Sequence, residues 1–216
     1  MQLRSALASA LLLLGSLATA GTKPIHVAMI FDDGPDPVQT PKLLAIFAEE
    51  KVHVTFGTVA KNAEAHPALL KTVVAAGHEL ANHSYSHQHP KGLSASVLES
   101  EIVGAGKQIR TASGFAPKWY WPPFLEIDDN VRAYAAQAGL QIYQPRKLVV
   151  SGDYMNELSA EEILRRATTG VEDGAVILFH EWRAETVAQM KAIITELKRQ
   201  GCVFVTFSEM EQQLPR

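Results

Sequence analysis

The sequence predicts an α/β fold: a parallel sheet of seven to eight strands alternating with helices, closed into a barrel or doubly wound, in one domain. Three observations predict it. Apolar, strand-like runs alternate with segments of helical period along nearly the whole chain. The 216 residues contain no internal repeat, no low-complexity stretch and no Gly/Ser-rich linker, and a single core serves chains up to about 250 residues. The hydrophobic share of 47% against 20% charged residues is enough to build a buried core. A (β/α) barrel fits seven to eight repeats of this kind.

The first element is not part of that fold. Residues 1–20, "MQLRSALASALLLLGSLATA", open with Arg4, continue through an apolar stretch and end on the small residues Ala18-Thr19-Ala20. This is the pattern of a secretory signal peptide cleaved after Ala20, which leaves residues 21–216 as the domain and a secreted or periplasmic location. The strongly apolar part is shorter than a membrane span needs. No cysteine follows the cleavage point to carry a lipid, so no stable membrane anchor is expected after cleavage.

The domain opens on the strand "IHVAMIF", followed by the helix "TPKLLAIFAEEK", the strand "VHVTFGT", the helix "HPALLKTVVAAG" and the strand "HELANHS". A helix around Ser94 to Thr111, a strand near Pro117 to Trp121 and a helix around Asp128 to Ala138 come next. Strand signals at "LQIY" and "KLVVS" precede the helix "SAEEILRRATTG", where Ser159 and Glu162 have the spacing of a capping box. Strand "AVILF", a helix from Ala184 to Gln200 and strand "CVFVTF" complete the chain. Asp32, Asp33, His83, Pro123, Asp153 and His180 all fall at predicted strand ends, the face on which β/α barrels build active sites.

A formal charge of -3 gives no electrostatic reason to expect nucleic acid as a partner. The single cysteine, Cys202, excludes an internal disulfide and reads as a core residue in an apolar run. The chemistry-bearing residues begin with Asp32 and Asp33, adjacent acids before Gly34 and Pro35. Successive side chains of a strand point to opposite faces, but a turn forced by that glycine and proline swings both carboxylates to one site, where a cation relieves their repulsion. "NHSYSH" adds His83 and His87, four apart, a spacing that places both imidazoles on one side of a helical turn or tight loop. Two histidines and one aspartate leave coordination positions open, the layout of a catalytic metal site, and the second acid is free to accept a proton from water. The donor set suits a borderline divalent cation, with Zn²⁺ leading. His26, His53, His66 and His78 read as core or surface residues, and His89, in an exposed-looking loop, as an ambiguous extra ligand. Trp119, Tyr120, Trp121 and Trp182 cluster near the predicted site, a weak pointer to a carbohydrate ligand.

"FDDGP", "NHSYSH", "WPPF", "SGDY" and "ILFH" occur in the order and approximate spacing of the polysaccharide deacetylase family, carbohydrate esterase family 4, and the chain resembles that family from Ile25 to about Glu209. The resemblance implies a distorted (β/α) barrel that removes acetyl groups from acetylated carbohydrates with a divalent cation. It implies Asp32 as catalytic base, Asp33, His83 and His87 as metal ligands, His180 as general acid and Asp153 as the acid that orients it. It places the backbone N–H of Phe124 at the oxyanion, and Leu178 and Tyr154 beside the acetyl methyl.

Two positions depart from the family pattern. The third motif ordinarily begins with an arginine that pairs with the base, whereas here Trp121 stands in its place. Arg146 and Arg183 are the candidates for a substitute guanidinium. The fourth motif ordinarily has tryptophan where this chain has Tyr154. Three readings follow: an exported N-deacetylase of peptidoglycan or a chitin-like glycan, an O-acetyl esterase on a xylan-like polymer, or a carbohydrate-binding homologue with weak turnover because the arginine is missing.

Overall fold

The computed structural model describes residues 23–214, so the leader expected at residues 1–20 lies outside the described residues. Its centre is β1 (Ile25–Gly34), buried along most of its length. The sheet path runs β5 (Gln141–Ile142), β4 (Trp119–Tyr120), β3 (Glu79–Asn82), β2 (Thr55–Thr58), β1, β7 (Ala175–His180), β6 (Lys147–Val150), all neighbours parallel. β8 (Cys202–Phe204) lies off this path and pairs with the start of β1. Val27 is in register with both Ala175 and Phe204, and Ile30 with both Thr55 and Leu178, so β8 and β2 share one edge of β1 while β7 holds the other. The barrel is an open one, with β5 and β6 as its edges.

Both faces of the central strands are buried, as a parallel sheet requires. On β1 and β7, Val27, Met29, Phe31, Ala175, Ile177 and Phe179 face one core, where Phe31, Phe47, Phe56 and Phe179 pack ring to ring. Ala28, Ile30 and Val176 face the other, with Trp119, Trp121, Tyr143 and Phe207. The period of two carries this second face onward to Asp32 and His180, which are paired across β1 and β7. The site therefore continues a packed interior.

The helices are α1 (Thr40–Glu50), α2 (Ala60–Ala65), α3 (Pro67–Ala75), α4 (Ala95–Leu98), α5 (Ala105–Ser113), α6 (Asp129–Gln137), α7 (Ala160–Thr168), α8 (Ala184–Arg199) and α9 (Phe207–Gln213). Three corrections to the sequence reading concern them. The helix expected around Ser94 to Thr111 is continuous but changes register, with a π-helical stretch over Glu99–Gly104 between α4 and α5. The short α2 was not anticipated. The run "CVFVTF" leaves the sheet after Phe204, because Thr206 and Glu209 form a full capping box that starts α9. At α7, Ser159 accepts from the Glu162 N–H at 3.2 Å, while the Glu162 carboxylate turns to Arg165 and Arg166. Cys202 is a buried free thiol, and burial pushes its pKa up to about 11.

Candidate active site

Asp32 and Asp33 reach one cavity by a route different from the one the sequence suggested. β1 continues through Gly34, its register with β2 slips between Asp32 and Gly34, and Asp33 itself takes a left-handed backbone with φ 72°. That irregularity, rather than a turn at Gly34-Pro35, puts both side chains on the same side. Gly34 is needed for space: a Cβ there would sit 1.5 Å from Glu181 Oε1.

The buried Asp32 accepts the Trp121 indole Nε1–H on Oδ2 at 2.9 Å. Its Oδ1 is buried without a partner and lies so close to Gly57 that a Cβ at that position would approach it to 2.2 Å. Burial pushes the Asp32 carboxyl up to about 8; the charge on His180 and the Trp121 hydrogen bond oppose the rise, and the charge on Asp33 adds to it. Asp33 has the same division of labour, with Oδ2 accepting the Trp182 indole Nε1–H at 2.9 Å and Oδ1 buried and unpartnered.

His83 follows directly after β3 and is buried. Its Nδ1–H donates to the Trp121 carbonyl oxygen at 2.5 Å, and because a carbonyl only accepts, the Nε2 lone pair is left for the cavity. His83 Nε2 is 3.6 Å and His87 Nε2 3.2 Å from Asp33 Oδ1. Burial lowers the pKa of both histidines, keeping them neutral, the form that ligates a metal. The three ligand atoms lie within 4.8 Å of one another, the only such cluster of His, Cys, Asp and Glu among the described residues. An unpartnered carboxylate oxygen facing two neutral imidazole nitrogens fits a divalent cation.

His87 is carried by a loop rather than a helical turn, with positive φ at Ser84 and His87. Glu101 anchors that loop from the π-helical stretch. Its buried carboxylate accepts the Tyr85 and Ser86 N–H groups at 3.2 and 2.9 Å, the Ser86 hydroxyl at 2.6 Å and the Gln88 amide at 3.0 Å.

On the opposite wall, His180 Nδ1–H donates to Asp153 Oδ1 at 2.8 Å. The fully buried Asp153 also accepts the His180 backbone N–H at 2.8 Å and the Thr186 hydroxyl at 2.7 Å on Oδ2. Burial lowers the His180 pKa, but the Asp153 hydrogen bond and the charges of Asp153, Asp32 and Asp33 outweigh it, and the net result is a rise to about 9.

Asp32, Asp33, His83, His87 and His180 line a cavity of about 530 Å³ with Trp121, Phe124, Tyr154 and Leu178. Phe124 and Tyr154 are each about half exposed, and Phe124 has a left-handed backbone at φ 55°, a costly conformation for an aromatic residue. The other expectations separate here. His89 stacks on Phe124 at 3.6 Å and pairs with Glu126, outside the ligand cluster. Trp119 and Tyr120 belong to the core rather than the cavity. Arg183 donates to the Asn156 and Leu158 carbonyls, and Arg146 to that of Leu214, so the donor found on Asp32 is an indole. Sequence reasoning missed Glu101, Glu181 and Gly57, and with them the contacts of the two indoles.

The sequence model of the family described as polysaccharide deacetylase matches residues 19–143. The chain belongs to the polysaccharide deacetylase family. A peptidoglycan-N-acetylglucosamine deacetylase of Bacillus cereus is 33% identical over 187 residues, covering 85% of this chain and 87% of that protein. The polysaccharide deacetylase fold is shared with a family 4 carbohydrate esterase from Streptomyces lividans in complex with acetate, at a TM-score of 0.78 and 31% identity, covering 85% of this chain and 93% of that one. It is shared too with a family 4 acetyl xylan esterase from Clostridium thermocellum in complex with a cobalt ion, at a TM-score of 0.80 and 29% identity, covering 87% and 91%. As a polysaccharide deacetylase, the protein is a hydrolase of the class that acts on acetyl groups of glycans.

Proposed function

We propose that the protein is an exported, metal-dependent N-deacetylase of a glycan, peptidoglycan or a chitin-like polymer. The observation that carries this reading is the Asp33, His83 and His87 cluster facing Asp32 and His180 across one cavity. Zn²⁺ is the proposed ion on the basis of the two imidazoles and one carboxylate. When bound there, the cation supplies Lewis acidity toward the acetyl carbonyl and the attacking water.

Asp32 accepts the proton of that water as it attacks the carbonyl carbon. The Phe124 N–H donates to the oxygen on which negative charge develops. His180 then passes its ring proton to the departing amine nitrogen, while Asp153 holds the imidazole by Nδ1 and stabilises its charged form. Leu178, Tyr154 and Trp121 enclose the methyl group. Among the described residues that line the cavity none is lysine or arginine, which suits a neutral N-acetyl sugar.

A second reading is O-deacetylation of a xylan-like polymer, favoured by the likeness to the acetyl xylan esterase. The third, a carbohydrate-binding homologue with weak turnover, rests on the replacement of the motif arginine by Trp121. Acetate release from N-acetylglucosamine oligomers, peptidoglycan and acetylated xylan, with and without a chelator, separates the three. Chelator-sensitive release from the first two substrates is the expected result; release from xylan alone, or from none, overturns it in favour of the second or third reading.

A further inference from the structure

The turn after β7 carries Trp182 between two anchored neighbours. The Glu181 backbone N–H donates to the Asp32 carbonyl at 3.0 Å, and its buried carboxylate accepts the Thr40 hydroxyl. On the other side, the Arg183 guanidinium donates to the Asn156 and Leu158 carbonyls and pairs with Glu185 at 3.0 Å. With both flanks fixed, the Trp182 indole is aimed at the cavity, its ring 5.7 Å from that of His180 and its N–H on Asp33 Oδ2.

From this we infer that Trp182 is a positioning residue for Asp33, occupying Oδ2 so that Oδ1 alone is presented to a cation beside His83 and His87. The inference rests on the reading of Asp33 as a metal ligand. Its physical basis is that a carboxylate rotates freely about its terminal bond unless one oxygen is tied, and a hydrogen bond to a charged oxygen is a strong tie. Among the described residues no other hydrogen-bond donor reaches the Asp33 carboxylate, the Asn62 amide donating instead to its backbone oxygen at 2.7 Å, and the orphaned Oδ1 faces the two imidazoles. Partners of this kind set metal affinity by fixing the ligand's orientation. Trp182 is 39% exposed, so its N–H can be removed with little disturbance of the core.

The test uses the full chain stripped by dialysis against a chelator, with Co²⁺ as probe, read by visible absorption and by competition with a chromophoric chelator. Trp182→Phe keeps the ring beside His180 and deletes the donor. It is expected to weaken Co²⁺ binding by roughly 10–100-fold and to alter the visible bands, with the melting temperature of the stripped protein unchanged. Equal affinity and identical spectra in wild type and Trp182→Phe overturn the inference and leave the ligand assignment standing. Failure of wild type to bind Co²⁺, or an Asp33→Asn variant that binds as tightly as wild type, overturns both. If Trp182→Phe does not fold, solvent exchange of the Trp182 indole proton decides the matter. Slow exchange in wild type that becomes fast in Asp33→Ala supports the tie; fast exchange in wild type, or slow exchange in both, overturns it.

Discussion

Trp121 Nε1 donates to Asp32 Oδ2 at 2.9 Å, joining residues 89 positions apart through a side chain with no exposed surface. Where the family pattern has a charged arginine, this chain holds the acid with a neutral donor, and the indole doing so also packs on Tyr143 and Phe207. Trp121→Phe keeps that packing and removes the donor. A hydrogen bond to a charged group is worth roughly 1.5–3 kcal/mol, so kcat is expected to fall about 10–100-fold with the fold intact. Trp121→Arg places a guanidinium among aromatic rings and is expected to lower the melting temperature rather than raise turnover. Steady-state kinetics and thermal melts on the two variants read these effects separately.

His180 is expected to matter in proportion to the leaving group. Its Nδ1 is committed to Asp153, which leaves Nε2 as the nitrogen that can serve a substrate. His180→Ala should slow amide hydrolysis by ~10²–10⁴ and hydrolysis of an activated aryl acetate far less, since a phenolate departs without protonation. Equal losses on the two substrates would show that the ring is only structural. Asp153→Asn should follow the same pattern more weakly and should also lower stability, because an amide cannot accept from all three donors that Asp153 now satisfies.

Gly57 forms the floor beneath Asp32. A methyl group there would approach Asp32 Oδ1 to 2.2 Å, and the carboxylate must move to relieve it. Gly57→Ala is expected to cut kcat by roughly 10², the order associated with a displacement near 1 Å. Co²⁺ affinity should hold, since Asp33, His83 and His87 are untouched. Parallel loss of metal binding would mean that the two adjacent acids move as one.

Burial raises the Glu181 carboxyl from 4.5 to about 8, partly offset by the Thr40 hydroxyl. His180 rises from 6.5 to about 9, and Asp32 from 3.8 to about 8. All three groups bind protons more tightly in the folded chain, and the buried His78, His83 and His87, whose pKa values are lowered, oppose them only below about 6.5, so stability of the metal-free protein should decrease as pH rises above about 6.5. The Glu181 share is lost between about 4.5 and 8, and the His180 share between about 6.5 and 9. Glu181→Gln should flatten the decline between about pH 6.5 and 8, leaving the parts due to Asp32 and His180. Urea denaturation at pH 5, 6, 7 and 9 measures the slope.

The sequence made the sheet legible because its central strands are buried on both faces and so appear as unbroken apolar runs. It concealed α9 for the same reason: "CVFVTF" looks like one strand, although the Thr206 and Glu209 spacing that starts the helix was present. Asp33, His83 and His87 could be grouped because each lies within or next to a short motif and their residue types suit a cation. The two indole contacts span 89 and 149 residues, and no local pattern encodes them. Arg146 and Arg183 were sensible candidates by charge, yet the turns they occupy direct them to backbone carbonyls. Glu101 depends on a helix changing register, which side-chain periodicity alone does not reveal.

β1 is the first strand made, and it is completed by some of the last. Its β2 edge becomes available after residue 58, but β7 arrives only at residues 175–180 and β8 at 202–204. During synthesis the strand carrying Asp32 and Asp33 must wait with one edge bare while more than half of the chain emerges. Such an edge is open to pairing with other chains. A chain stopped after residue 200 would lack both β8 and α9, exposing the beginning of β1 and the underside of the interior that leads up to the site. The order of synthesis thus leaves one flank of the central strand until last, and the protein acquires its two acids long before it can shelter them.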